Sequence, residues 1–161
     1  MIFKALVCLC FAALSVAVVS AAAAAQPQIT DINRELESLG PDPFLSATCG
    51  FDVDVLNEAR IRIVEFSNGT AQSHHHETYY WQANGRSLTE HVNFTIVFGP
   101  GETMAFHGAV FNLHVPGVGV AMVDVGNVVM SRDGIIHQAG LHQILGATSN
   151  PMAVCDYLDG S

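Results

Sequence analysis

From Cys49 onward, hydrophobic and polar residues alternate with a period of two. Val92, Phe94, Ile96 and Phe98 point one way, and His91, Asn93, Thr95 and Val97 the other. Ile61 and Ile63 oppose Arg60 and Arg62, and Val53 and Val55 oppose Asp52 and Asp54. A period of two is the mark of a strand with one dry and one wet face. Turn pairs break the pattern at intervals of about sixteen residues: Asn68-Gly69, Asn84-Gly85, Gly99-Pro100-Gly101, Pro116-Gly117 and Asp133-Gly134. Asn-Gly and Asp-Gly suit two-residue hairpins, whose central residues take positive φ. Such an interval is one long strand plus its turn, so consecutive strands pair as antiparallel neighbours. The chain is therefore expected to be all-β: a meander of about six to eight strands forming a small closed or nearly closed barrel. Closure removes exposed sheet edges. A two-sheet sandwich is the alternative. The run Gly119–Met130 has almost no polar face, which predicts cover on both sides by the segment before Cys49 or by a partner chain. Gly108 and Gly126 fall inside strand text and predict bulges or bends.

The chain before Cys49 reads differently. Ile32, Leu36 and Leu39 are spaced i, i+4, i+7 behind Thr30 and Asp31, and Gly40-Pro41 follows. That spacing predicts a short helix within a leader of residues 26–47. Residues 1–25 carry Lys4, an apolar run from Ala5 to Val19 and a tail of small residues to Ala25. This is the layout of a secretory signal peptide, and the run is short for a membrane span. The β-barrel-like domain then occupies residues 48–161, and the product is expected to be secreted, without a stable membrane span once the signal is cleaved.

Charge and cysteine usage narrow the partners. Without the signal segment the chain has five arginines, no lysine and fifteen acidic residues, a net charge of −10 with histidine neutral. That excludes nucleic acid as a partner, because a nucleic-acid surface needs a basic face. Cys8 and Cys10 lie in the signal segment. Cys49 and Cys155 remain, and in an oxidising compartment such a pair is expected to form a disulfide. Its two ends must then lie within about 7 Å at Cα, joining the start of the domain to its end.

Further local features carry a resemblance. They are Thr48-Cys49-Gly50-Phe51, Glu65-Phe66 with Asn68-Gly69-Thr70, Tyr80-Trp81, Asn84-Gly85-Arg86-Ser87-Leu88-Thr89, the Gly99-Pro100-Gly101 turn and Val154-Cys155-Asp156-Tyr157-Leu158. Together they resemble a group of small secreted actinobacterial proteins of unknown function. The resemblance implies export and a β-rich fold, and it assigns no catalytic residue.

Candidate chemistry centres on His74-His75-His76-Glu77. In a strand, His74 and His76 share a face and could chelate one divalent metal ion, with His91 or Glu90 contributed across the Asn84-Gly85 hairpin. Gly69, His74, His76, Glu77 and Gly85 resemble the order of the first cupin motif, although Glu77 follows His76 directly where that motif spaces the two apart. A metal-dependent enzyme is one alternative. A carrier is another, with Tyr79, Trp81, Phe94 and Phe106 lining a cavity for a small apolar ligand. There is no Gly-x-Ser-x-Gly elbow, phosphate loop or dinucleotide fingerprint. The expectation is thus an exported, non-catalytic module that binds a protein or a small apolar ligand, with no cofactor and with His74 and His76 facing water.

Overall fold

The computed structural model describes residues 25–142 and 149–160. The expected signal segment lies outside the described residues, Ala25 excepted. Seven strands form one antiparallel sheet in sequence order: β1 (Gln28–Pro41), β2 (Asp54–Glu65), β3 (Ala71–Ala83), β4 (Arg86–Phe98), β5 (Met104–Val115), β6 (Gly119–Ser131) and β7 (Gly134–His142). Helix α1 (Pro43–Cys49) joins β1 to β2, and α2 (Pro151–Asp159) closes the chain. None of the described helices is long and apolar enough to cross a membrane.

The meander follows the turn chemistry. Four of the five predicted turns fall between consecutive strands, and the fifth, Asp133-Gly134, runs into the first residue of β7. Asn84 (φ 51°) and Gly85 (φ 75°) both take the left-handed conformation that a type I′ hairpin requires. The pairing through this hairpin is unbroken from Ala83↔Arg86 to Ala71↔Phe98.

Closure is where the expectation fails. Among the described residues β1 pairs only with β2, and β7 only with β6, so the sheet is open rather than a closed barrel. The sandwich is not found either, since all seven strands belong to one sheet. The leader is a further correction: residues 28–41 are strand, not helix. Ile32 lies opposite Ile61 and Pro41 opposite Asp54, with bulges between Arg34 and Glu37 and between Ser38 and Gly40. Leu36 and Leu39 fall in those two bulges, and both, like Ile32, are exposed. A two-turn helix is marginal alone, and pairing along β2 outcompetes it.

The disulfide forms as expected, with a Cα–Cα distance of 5.1 Å, but it clips α1 to α2 rather than tying the first strand to the last. Both helices are capped by sequence. Asp42 Oδ1 accepts from Leu45 N–H and Asn150 Oδ1 from Ala153 N–H, each ahead of a proline in the first turn, and Gly50 and Gly160 end the helices in the left-handed conformation. The pair covers one end of one face of the sheet, here the inner face. Leu45, Val154 and Leu158 pack there against Val53, Val55, Trp81, Leu88, Leu113 and Met122. Asn150 N–H bonds to Ala121 O, and Arg86 bonds to Tyr157 O, holding α2 on the sheet. In β6 only Ala121, Met122 and Val123 are buried, at this helix-covered end; the rest of the apolar run is half-exposed or exposed, so neither the leader nor any described element covers it on both sides.

Three glycines form a row across β5, β6 and β7. Gly108 pairs with Gly126, and Gly126 with Gly140, at φ of 116°, 150° and 125°. A Cβ at Gly126 would sit 2.2 Å from Ala139 O, and one at Gly140 2.3 Å from Val125 O. Only glycine lets adjacent backbones approach that closely.

Candidate functional site

Strand β3 presents two different surfaces. On the outer face stand His74, His76 and Thr78. On the inner face stand Ser73, His75, Glu77, Tyr79 and Trp81, running from the uncovered end of the sheet toward the helices.

On the outer face, each expected metal ligand has a cross-strand partner. His74 Nδ1 meets Thr95 Oγ1 at 3.0 Å, His91 Nδ1 meets Thr78 Oγ1 at 3.1 Å, and His76 Nδ1 meets Asn93 Oδ1. His76 and His91 border a depression of about 560 Å³ with Asn33 and Arg60; His74 and His76 border a neighbouring one. Among the described residues no three His, Cys, Asp or Glu side chains come together as an ion would require. Glu90, the alternative third ligand, lies on the opposite face.

The inner face holds the polar cluster that sequence reasoning missed. Ser73 Oγ lies 2.8 Å from His75 Nε2, and His75 Nδ1 lies 2.7 Å from Glu77 Oε1. The second oxygen of Glu77 accepts from the Tyr79 hydroxyl at 2.5 Å and from Asn57 Nδ2 at 3.4 Å. Asn57 in turn accepts from Arg34 at 3.4 Å. Ser73, Asn57 and Glu77 are buried, and the His75 ring stacks on Phe94 with centroids 4.4 Å apart. With Oε2 occupied by two donors, Oε1 remains to accept from the Nδ1–H of His75. Nε2 is then the acceptor facing the Ser73 hydroxyl. Burial pushes the Tyr79 phenol well above its usual range, and the Glu77 carboxylate adds to that shift.

Glu90 forms a second buried polar centre beside the first. It is 1% exposed and lies opposite Tyr79. Its carboxylate accepts from Trp81 Nε1 at 3.2 Å and from the backbone N–H of Asn112. The β4–β5 ladder stops at Asn93↔Ala109, so this side chain takes up a backbone donor that the ladder leaves free. Desolvation raises its pKa to about 7, and the two hydrogen bonds oppose that rise.

Beyond this polar belt the inner face is apolar and uncovered. Ile63 lies opposite Ser73, Ser73 opposite Ile96, Ile96 opposite Phe106 and Phe106 opposite Val128. These apolar residues are half-exposed, and the two helices pack only at the other end. The four residues expected to line a cavity therefore separate. Trp81 is 5% exposed and, with half-buried Tyr79, packs in or against the helix-covered core, whereas Phe94 and Phe106 face the open end. No family model matches the chain, and neither a curated protein nor a solved structure matches it. Ser73-x-His75-x-Glu77-x-Tyr79-x-Trp81 is legible in the sequence as five residues of one strand face, opposite in parity to His74 and His76.

Proposed function

We propose that this is an exported binding protein that takes a small amphipathic ligand on the open end of its inner face. One observation carries the reading. Half-exposed apolar side chains (Ile63, Phe94, Ile96 and Phe106) flank a polar run along β3, in which Ser73 and Glu77 are buried and His75 is half-buried between them. A ligand site joins apolar walls to a few convergent polar groups in this way. The apolar body of the ligand lies along Ile96 and Phe106, and its polar end reaches Ser73 and His75. Glu77 is saturated by its own neighbours and serves to hold His75. The resemblance to small secreted proteins supports export, as does the disulfide, which is a feature of oxidising compartments. The neutral apolar probe N-phenyl-1-naphthylamine tests the reading. It is expected to gain fluorescence on binding and to accept energy from Trp81, the only tryptophan. Phe106→Ala and Ile96→Asp should each weaken the binding at least several-fold. A probe that does not bind, or binds equally well to both variants, overturns the reading.

A further inference from the structure

Ser73, His75 and Glu77 stand at i, i+2 and i+4 of one strand face, and their hydrogen bonds run in one direction. The hydroxyl meets Nε2, the imidazole Nδ1 meets a carboxylate, and that carboxylate is pinned by Tyr79 and Asn57. A nucleophile, its base and a group that orients the base form such a chain in enzymes of unrelated folds, and the arrangement is recognised by geometry and not by sequence order. Two further features favour chemistry over simple polar satisfaction. Phe94 stacks on His75 at an interplanar angle of 10°, fixing the ring plane. The Ser73 end of the chain adjoins the half-exposed Ile63, Ile96 and Phe106 side chains, where a substrate could lie.

We infer that Ser73 is a nucleophile activated by His75 and that the site cleaves small carboxylic esters with an apolar part. Glu77 is a positioning residue. The inference rests on the proposed binding face for substrate placement, although the reactivity of Ser73 can be read independently. In the first step Ser73 Oγ bonds to the ester carbonyl carbon as its proton passes to His75 Nε2. The tetrahedral adduct collapses by breaking the bond to the ester oxygen, and the imidazolium gives its proton to the departing alkoxide, which leaves as an alcohol. In the second step a solvent water loses a proton to Nε2 and attacks the acyl carbon. The Oγ–acyl bond breaks, Oγ takes the proton back, and a carboxylic acid is released. Ser73 is 5% exposed, which restricts the acyl group to short chains.

The test is covalent capture. The folded protein is treated with a small fluorophosphonate, and the modified residue is located by peptide mass mapping. The expected result is one adduct per chain, at Ser73, lost on prior unfolding, absent in Ser73→Ala and slowed at least ten-fold in His75→Gln. Glu77→Gln should slow it as well, and Glu77→Asp should restore part of the rate, a recovery that bulk destabilisation would not give. His91→Ala, on the outer face, should label at the parent rate. With p-nitrophenyl acetate, Ser73→Ala should lose the release of p-nitrophenolate that the parent shows. Circular dichroism of Ser73→Ala checks that its fold is kept; if it is not, the position of the adduct on the parent protein decides. No adduct at Ser73 in the folded parent, or labelling indifferent to His75→Gln, overturns the inference. If the naphthylamine probe binds while Ser73 stays unlabelled, the binding face stands and the chemistry falls. If Ser73 is labelled while the probe does not bind, the chemistry stands and the proposed ligand face falls.

Discussion

The two ends of the inner face belong to one sheet, yet only one is finished as a core. At the helix end, Leu45, Val53, Leu113, Val154 and Leu158 are at most 1% exposed. At the other end, Ile63, Ile96, Met104, Phe106 and Met130 are half-exposed. The strand pattern does not make the difference, since apolar residues alternate at both ends. What differs is the cover: α1 and α2, clipped by Cys49–Cys155, reach the rows of Val55, Trp81 and Leu88 and go no further. Full burial is concentrated under the helices, and no described element covers the other end. Between the two lies the polar belt of Asn57, Glu77 and Glu90, in which Asn57 bonds to Glu77 and Glu90 bonds to Trp81 and the Asn112 backbone.

If that division holds, the largest effect comes from unclipping the helices. Cys49→Ala with Cys155→Ala opens a loop of 106 residues in sequence separation. The chain-entropy relation puts the loss at about 4–5 kcal/mol, most of the stability of a domain of this size. Chemical denaturation of the oxidised parent and the double variant measures it. A loss below about 1 kcal/mol would mean that the helices stay seated without the clip.

Truncations at the two ends make the comparison directly. Leu158→Ala removes a fully buried side chain and is expected to cost about 3 kcal/mol, within the range for such changes. Phe106→Ala removes a half-exposed ring and should cost about 1 kcal/mol, while still weakening the probe binding described above. Equal costs at both ends would mean that the open end is as much a core as the other.

The belt supplies a pH-dependent test of the next size. The pKa of Glu90 is raised to about 7 from an ordinary 4.5, so the folded chain holds this proton more tightly than the unfolded chain. The stabilising state is the protonated one. It is fully present below about pH 4.5 and is lost as pH rises toward and through 7. Linkage places the total at about 3 kcal/mol. Denaturation midpoints between pH 4.5 and 8 should therefore fall more steeply for the parent than for Glu90→Gln. The variant loses one acceptor for Trp81 Nε1–H or Asn112 N–H, but it has no proton to lose. Parallel curves would place the ionisation of Glu90 outside this window.

The sequence made the sheet legible because its signals are local. A turn pair such as Asn84-Gly85 fixes a hairpin through two φ angles, and alternation fixes which side chains share a face. The disulfide was legible from the number of cysteines alone, but what it joins was not, because Gly50 and Pro151 mark helix ends only once the helices are known. The leader misled for the opposite reason. Ile32 pairs along β2, while Leu36 and Leu39 fall in the two bulges, and a helix-like spacing does not distinguish a bulged strand from a helix. The candidate site was half legible. Alternation assigns Ser73, His75 and Glu77 to the side of Trp81, whereas their convergence depends on side-chain orientations set by Asn57 from β2 and Phe94 from β4. Glu90 was placed in the wrong role for a related reason. Across the hairpin it is opposite Tyr79, not His76, and only the broken β4–β5 ladder shows why a carboxylate is buried there.

The smallest expected effect concerns the outer face of the same strand. His76 is exposed and bonds across to Asn93, and His91 is exposed and bonds across to Thr78. Cross-strand polar pairs of this kind contribute a few tenths of a kcal/mol on a wet surface. His76→Ala and His91→Ala should therefore each shift stability by less than about 0.5 kcal/mol. Neither should change probe binding or the labelling of Ser73. Repeating the denaturation with excess zinc extends the test: the parent and both variants should unfold at the same midpoint with and without the ion. A zinc-dependent stabilisation that is lost in His76→Ala would place a metal on the outer face and move the centre of interest away from the belt. Identical midpoints would leave His76 and His91 as surface residues paired across the sheet, on the face opposite His75.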